Sequence, residues 1–135
     1  MQTAQLHEDK FFQVSWDGKA RLIRIDWKEA TASMTDEDFR SQLELFAGLV
    51  EAKKAHGILV DVAHFRHTQG PSIQEWRLKN ISPRYSGAGV QRFAFLLPGD
   101  APVPAMMNQS DPSEKFLTRG FNSADKAMAW LTAKD

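Results

Sequence analysis

No cysteine occurs anywhere in the 135 residues. That excludes a disulfide scaffold, thiolate zinc sites, iron–sulfur clusters and cysteine nucleophiles. It does not fix the compartment, because a chain without thiols is indifferent to redox. Charge of one sign is also missing: 17 Lys and Arg balance 17 Asp and Glu, with no long block of either. Nucleic-acid binding needs a basic footprint that displaces counterions, so no nucleic-acid partner is expected. No apolar run approaches the ~20 residues of a membrane span. The opening MQTAQLHEDKFF lacks a basic stretch followed by an apolar one, so no signal peptide is expected and a cytoplasmic location is the default. Catalytic signatures are absent as well. There is no Gly-x-Ser-x-Gly elbow and no His-Glu-x-x-His, and nothing in the sequence pairs two carboxylates across a cleft. The glycine-rich SGAGV (Ser86–Val90) follows a helix and opens a strand, the reverse of a phosphate loop. A protein that is not an enzyme and carries no cofactor is expected.

What is present reads as one ordinary domain, residues 1–135. A chain of this length buries about two-thirds of its unfolded surface on folding, enough for a core without staples. FFQVSW (Phe11–Trp16) and ARLIRIDW (Ala20–Trp27) are rich in strand formers and are joined by the hairpin signal DGK. The next segment, from Thr35 to Gly57, predicts a long helix. Thr35 is the N-cap, and Asp36, Glu37 and Asp38 sit where the helix dipole favours negative charge. Phe39, Leu43, Phe46, Ala47 and Val50 form the inward stripe. Gly57 is the expected left-handed closing residue. Leu45 and Leu49 flank the stripe, to be covered by a neighbouring loop or helix, or by another subunit.

ILVDV (Ile58–Val62) reads as a central strand covered on both faces. Pro71 suits the first turn of a second helix whose inward face is Ile73, Trp76 and Ile81. SPRYSGAG is expected to end that helix through Pro83 and two glycines. VQRFAFLL (Val90–Leu97) and FLTRGF (Phe116–Phe121) are further strands, separated by an irregular segment with a short helix around Ala105–Gln109. SADKAMAWLTAKD closes the chain as a helix capped by Ser123, with Ala124, Ala127, Met128 and Leu131 inward. The order is β-β-α-β-α-β-(α)-β-α. It predicts an α/β fold with a mixed, mostly parallel five-stranded sheet and right-handed crossovers.

That order, with RLIRIDW, GILVDVAHF, IQEW, SPRYSGAGVQRFAFLLP and FNSADKAMAWL at their spacings, resembles the STAS domain of anti-sigma-factor antagonists and sulfate-transporter tails. It looks closer to a bacterial branch of small, stand-alone STAS-like proteins. The resemblance spans roughly Phe11 to Leu131. It implies a non-catalytic binding or regulatory module that works through a protein partner or a homo-oligomer. In the anti-sigma antagonists a Ser in an Asp-Ser-Ser-Gly-like motif opens the helix after the central strand, and its phosphorylation switches partner binding. Here the corresponding region is HFRHTQGPSIQEW, without that motif; Thr68 and Ser72 are the nearby hydroxyls. The branch also resembles, more distantly, the CRAL-TRIO lipid-carrier fold, which implies a carrier or sensor of a small apolar, lipid-like ligand as the alternative.

Four groups of residues are candidates for a ligand or partner site. Asp61, His64 and His67 supply three side chains within seven residues, the donor types a metal site uses when cysteine is absent. The competing reading has Asp61 capping the loop backbone and the histidines at the surface. Ser72 is the hydroxyl at the start of the second helix. Trp76, Arg84, Tyr85 and Arg92 form a rim group, with Trp76 on the inward face of the same helix and Arg84 and Tyr85 beyond its far end. Met106 and Met107 lie in the Pro-interrupted stretch 98–115, as a lid over a pocket, as an interface patch or as part of a packed short helix; methionine adapts to irregular apolar partners.

Overall fold

The computed structural model describes residues 3–68, 70–103 and 114–133. The six strands form one sheet in sequence order: β1 (Thr3–Glu8), β2 (Phe12–Asp17), β3 (Leu22–Trp27), β4 (Gly57–Asp61), β5 (Arg92–Leu96) and β6 (Leu117–Phe121). β1, β2 and β3 are antiparallel, and β3 to β6 run parallel. The helices are α1 (Asp36–Lys53), α2 (Ile73–Asn80), α3 (Ser82–Ala88) and α4 (Ala124–Thr132), with a 3-10 turn at Glu29–Ser33. The α/β class and the largely parallel sheet are as expected from the sequence.

The sheet has six strands rather than five. The added strand, TAQLHE, is mostly polar because it is an outer strand, so it carries no apolar alternation. A register shift between Gln5 and His7 lets Leu6 pack on the main core while His7 meets Phe12 edge-on. The hairpin between β2 and β3 is longer than DGK suggests. Asp17 Oδ1 accepts the backbone N–H groups of Lys19 and Ala20, and Arg21 takes a left-handed φ of 56° before β3 begins at Leu22.

α1 starts as expected. Thr35 Oγ1 accepts the N–H of Asp38 and the Asp38 carboxylate accepts the N–H of Thr35, a reciprocal capping box. All five residues of the inward stripe are buried. Leu45 stays 36% exposed, and Leu49 packs at the core margin. The helix does not close on Gly57. Lys54 takes the left-handed position (φ 52°), and the Arg21 guanidinium donates to the carbonyls of Lys53 and Lys54. Gly57 instead opens β4, where a Cβ would collide with the Leu22 side chain.

Nor does SPRYSGAG end the helical region. α2 stops at Asn80 and α3 follows immediately, with Pro83 in its first turn, where a missing N–H costs nothing. Gly89, at φ 108°, closes α3. Val90 N–H then donates to the Tyr85 carbonyl, and β5 begins at Arg92. In α4, Ser123 caps the helix and Ala127 and Leu131 are buried, but Ala124 is exposed and Met128 only half-buried.

Parallel strands laid down in one direction by right-handed crossovers send their helices to one face. α1, α2 and α3 accordingly share one core with Phe12, Val14, Ile23, Ile25, Ile58 and Val60. α4 covers the opposite face over β4, β5 and β6, where Leu22, Leu59, Ala94 and Leu96 meet Ala127 and Leu131. Over β1, β2 and β3 that second face carries Gln5, Gln13, Ser15, Arg24 and Asp26, an antiparallel surface with a polar side. No described helix is long and apolar enough to cross a membrane.

Candidate functional site

The carboxyl ends of β3 and β4 and the loop after β4 form the best-organised polar region outside the core. Strand parity places Arg24, Asp26 and Asp61 on the second face, and Asp26 and Asp61 are direct register partners. Two carboxylates side by side repel. Arg24 bridges them: its Nε donates to both oxygens of Asp26 at 3.1 Å, and its Nη2 donates to Asp61 Oδ2 at 3.1 Å. The other Asp61 oxygen accepts the N–H of Ala63 at 3.0 Å. Asp61 therefore caps the start of the loop; the same sequence reading puts both histidines at the surface, which is so for His64 but not for His67.

The loop then crosses to the helical face. His67 is nearly enclosed, with its side chain 7% exposed; its Nε2 lies 2.9 Å from Asp36 Oδ1 at the start of α1. Its ring packs beside Phe39 and Phe65, at centroid distances of 5.3 and 6.2 Å. The same Asp36 oxygen accepts the N–H of Gly70 at 3.2 Å. A Cβ at Gly70 would strike the Asp36 carboxylate, which would have to move aside. Between these anchors, the N–H of Arg66 donates to Thr31 Oγ1 at 2.8 Å, and Thr31, fully buried, donates onward to the Lys28 carbonyl at 2.7 Å. Phe65 closes the underside against Trp27 and Phe39 at 5.1 and 5.8 Å. Anchored residues thus alternate with displayed ones: His64, Arg66 and Thr68 are exposed.

Asp61, His64 and His67 are not brought together. Asp61 pairs with Arg24, and His64 lies loosely 3.5 Å from Glu29 with 62% of its side chain exposed. His67 pairs with Asp36 on the other face. Among the described residues, no group of three or more His, Cys, Asp or Glu side chains is placed to hold a metal ion. Beside His64 a shallow, open hollow of about 310 Å³ is lined by Gln13, Asp26, Trp27, Lys28 and Glu29.

Ser72 is exposed at the start of α2, and its side chain makes no capping hydrogen bond. Trp76 is half-buried against the main core. Arg84 ties α3 to α1 through Glu51, at 3.1 Å from Nε and 2.5 Å from Nη2. That hydrogen-bonded pairing holds the Glu51 carboxyl below its ordinary value and raises the Arg84 guanidinium. Tyr85 is inside the core rather than at a rim. Its ring sits 5.9 to 6.2 Å from Phe46, Phe93 and Phe116, and burial pushes its phenol up. Met106 and Met107, with the short helix expected around Ala105–Gln109, lie outside the described residues.

Arg24, Thr31 and Asp36 escaped the sequence reading of this site. The alternation of Leu22, Arg24 and Asp26 in LIRIDW did signal that Arg24 and Asp26 share a face. Nothing local signals Thr31 or Asp36, whose loop partners Arg66 and His67 lie 35 and 31 residues further on. Comparison of the chain with family models, with curated proteins and with solved structures finds no match.

Proposed function

We propose that this protein is a non-catalytic, STAS-like binding or regulatory module whose contact surface is the loop between β4 and α2. The observation that carries the reading is the alternation of anchored and displayed residues in that loop. Asp61, the Arg66 backbone, His67 and Gly70 are each held by a bond to a distant part of the chain. His64, Arg66, Thr68 and Ser72 are exposed between or just beyond them. A surface ordered before it binds loses little conformational freedom on binding, which favours recognition. Among the described residues of this loop, Asp61 pairs with Arg24 and His67 with Asp36, and no nucleophile stands beside a base in the geometry that chemistry requires. The resemblance of element order and motifs to STAS domains points the same way. An apolar-ligand carrier has less behind it, since neither of two hollows bounded by described residues is a closed apolar pocket and each has charged side chains in its wall.

Site-specific photo-cross-linking combined with native mass spectrometry tests this. A photoreactive residue replaces Arg66 in one sample and Lys126, on α4 over the opposite face, in another. The module predicts a discrete cross-linked protein, either a second copy or a defined partner, from position 66 and none from position 126. Equal labelling from both positions, or a co-purifying apolar small molecule in place of a protein, overturns the reading.

A further inference from the structure

At the opposite end of the sheet from the candidate loop lies a larger hollow of about 450 Å³, within the size range of small-ligand sites. Its wall is assembled from three separate parts of the fold: the turn between β2 and β3, the entry to β4 and β5, and the end of α4. The turn contributes one basic group, Lys19, and the entry to β4 and β5 contributes two, His56 and Arg92.

The main chain of Lys19 and of His56, and the guanidinium of Arg92, are held by hydrogen bonds that do not depend on a ligand. The N–H of Lys19 donates to Asp17 Oδ1 at 3.1 Å, which fixes the turn. His56 donates its N–H to the Arg21 carbonyl at 2.9 Å and accepts from the N–H of Gln91 at 2.8 Å. It is thus locked between the starts of two strands, although its side chain is exposed. Arg92 donates from Nη1 to the carbonyls of Trp130 and Ala133, and its guanidinium lies 5.5 Å from the Trp130 ring. It offsets the negative end of the α4 dipole where that end faces the hollow. The acid in the wall, Asp17, already accepts two backbone N–H groups through Oδ1. Leu131 supplies an apolar floor, buried except for its edge.

We propose that this hollow binds a small molecule with an oxyanion head group, a phosphate or a carboxylate, which lies against Lys19 and His56 with its body on Leu131. Basic side chains carried on separately fixed backbone segments can reach such a head group with hydrogen bonds while the backbone stays as it is. The site is independent of the loop after β4, so failure of one reading leaves the other intact.

The test is a two-dimensional amide NMR titration of the intact chain with sodium phosphate and, separately, sodium acetate, at constant ionic strength set with chloride. Saturable shifts centred on the amides of Lys19, His56 and Gln91 are expected. A larger response to one anion identifies the head-group class. Lys19→Ala and His56→Ala are expected to weaken binding by about tenfold each, the scale of one charge-assisted hydrogen bond. Lys126→Ala, on the outer side of α4, leaves it unchanged. Both replaced residues are exposed, so the variants retain the fold, which the unchanged remainder of the spectrum verifies. Linear, non-saturating shifts with both anions overturn the proposal, and so does equal affinity in the wild type and Lys19→Ala.

Discussion

Replacing Thr31 by Val removes one oxygen and almost no volume, yet it is expected to loosen the whole loop after β4. The hydroxyl is fully buried and works in both directions: it donates to the Lys28 carbonyl at 2.7 Å and accepts the Arg66 N–H at 2.8 Å. The Lys28 carbonyl keeps a partner after the change, because the N–H of Thr31 also reaches it at 3.1 Å. The Arg66 N–H does not, since valine offers no acceptor. An orphaned donor of this kind plus one lost hydrogen bond costs about 2 kcal/mol. For a chain of this size that lowers the melting temperature by about 6 °C. Thr31→Ser is the matched control. It keeps both bonds and loses one methyl group, about 1 kcal/mol. Hydrogen exchange separates the two variants better than melting does. In Thr31→Val the Arg66 amide loses its acceptor, so its protection is expected to fall about 30-fold, the factor that corresponds to about 2 kcal/mol. In Thr31→Ser it should fall no further than the neighbouring amides. Unchanged protection at Arg66 in the valine variant would refute the claim that this hydroxyl anchors the loop.

Three further outcomes follow from the same geometry. Arg24→Ala leaves Asp26 and Asp61 facing each other without their bridge, and because all three side chains are partly solvated the expected loss is only about 0.5–1 kcal/mol; urea titrations should show it shrinking in 1 M NaCl, and an undiminished loss at high salt would show that the bridge acts through packing. Gly70→Ala drives the Asp36 carboxylate aside and breaks its pairing with His67; the expected cost is about 1–2 kcal/mol, read by thermal melting, with displaced His67 ring signals in the NMR spectrum, and a normal His67 environment would count against the tether. The Arg84–Glu51 pair depresses the Glu51 carboxyl from 4.5, so its contribution is fully present above about pH 4.5 and lost as pH falls through the lower folded-state value. The stability of wild type and of Arg84→Met should therefore differ at pH 6 and converge toward pH 3, with a constant gap refuting the linkage.

How much of this was legible in the sequence depended on whether the determining contact was local. The α1 stripe, Thr35 and Ser123 as caps, and the β2–β3 pairing all follow from spacings of a few residues, and all appear in the structure. β1 was hidden because an outer strand needs no apolar periodicity, and α3 because Pro83 and Gly87 look like breakers until Pro83 falls in a first turn. Gly57 looked like a helix cap, but its need for a hydrogen in place of a Cβ comes from Leu22, in another strand.

The loop after β4 shows the same limit at the scale of a site. Asp61, His64 and His67 are close in sequence, and closeness suggested convergence. Strand parity decides otherwise. Asp61 is on the same face as Arg24 and Asp26, so a side chain that is to join it must stay on that face. Six residues later the chain has passed over the carboxyl ends of the strands, and His67 is enclosed against Phe39 and Asp36 on the helical side. The register of β4 and the position of Asp36 at the start of α1 thus send the two ends of the motif to opposite faces. The spacing that suggested a ligand set is what a loop needs in order to tie itself to both faces at once, leaving His64 and the side chains of Arg66 and Thr68 outward. Groups that anchor and side chains that are displayed are separated by the fold, and it is the latter that stand exposed to solvent.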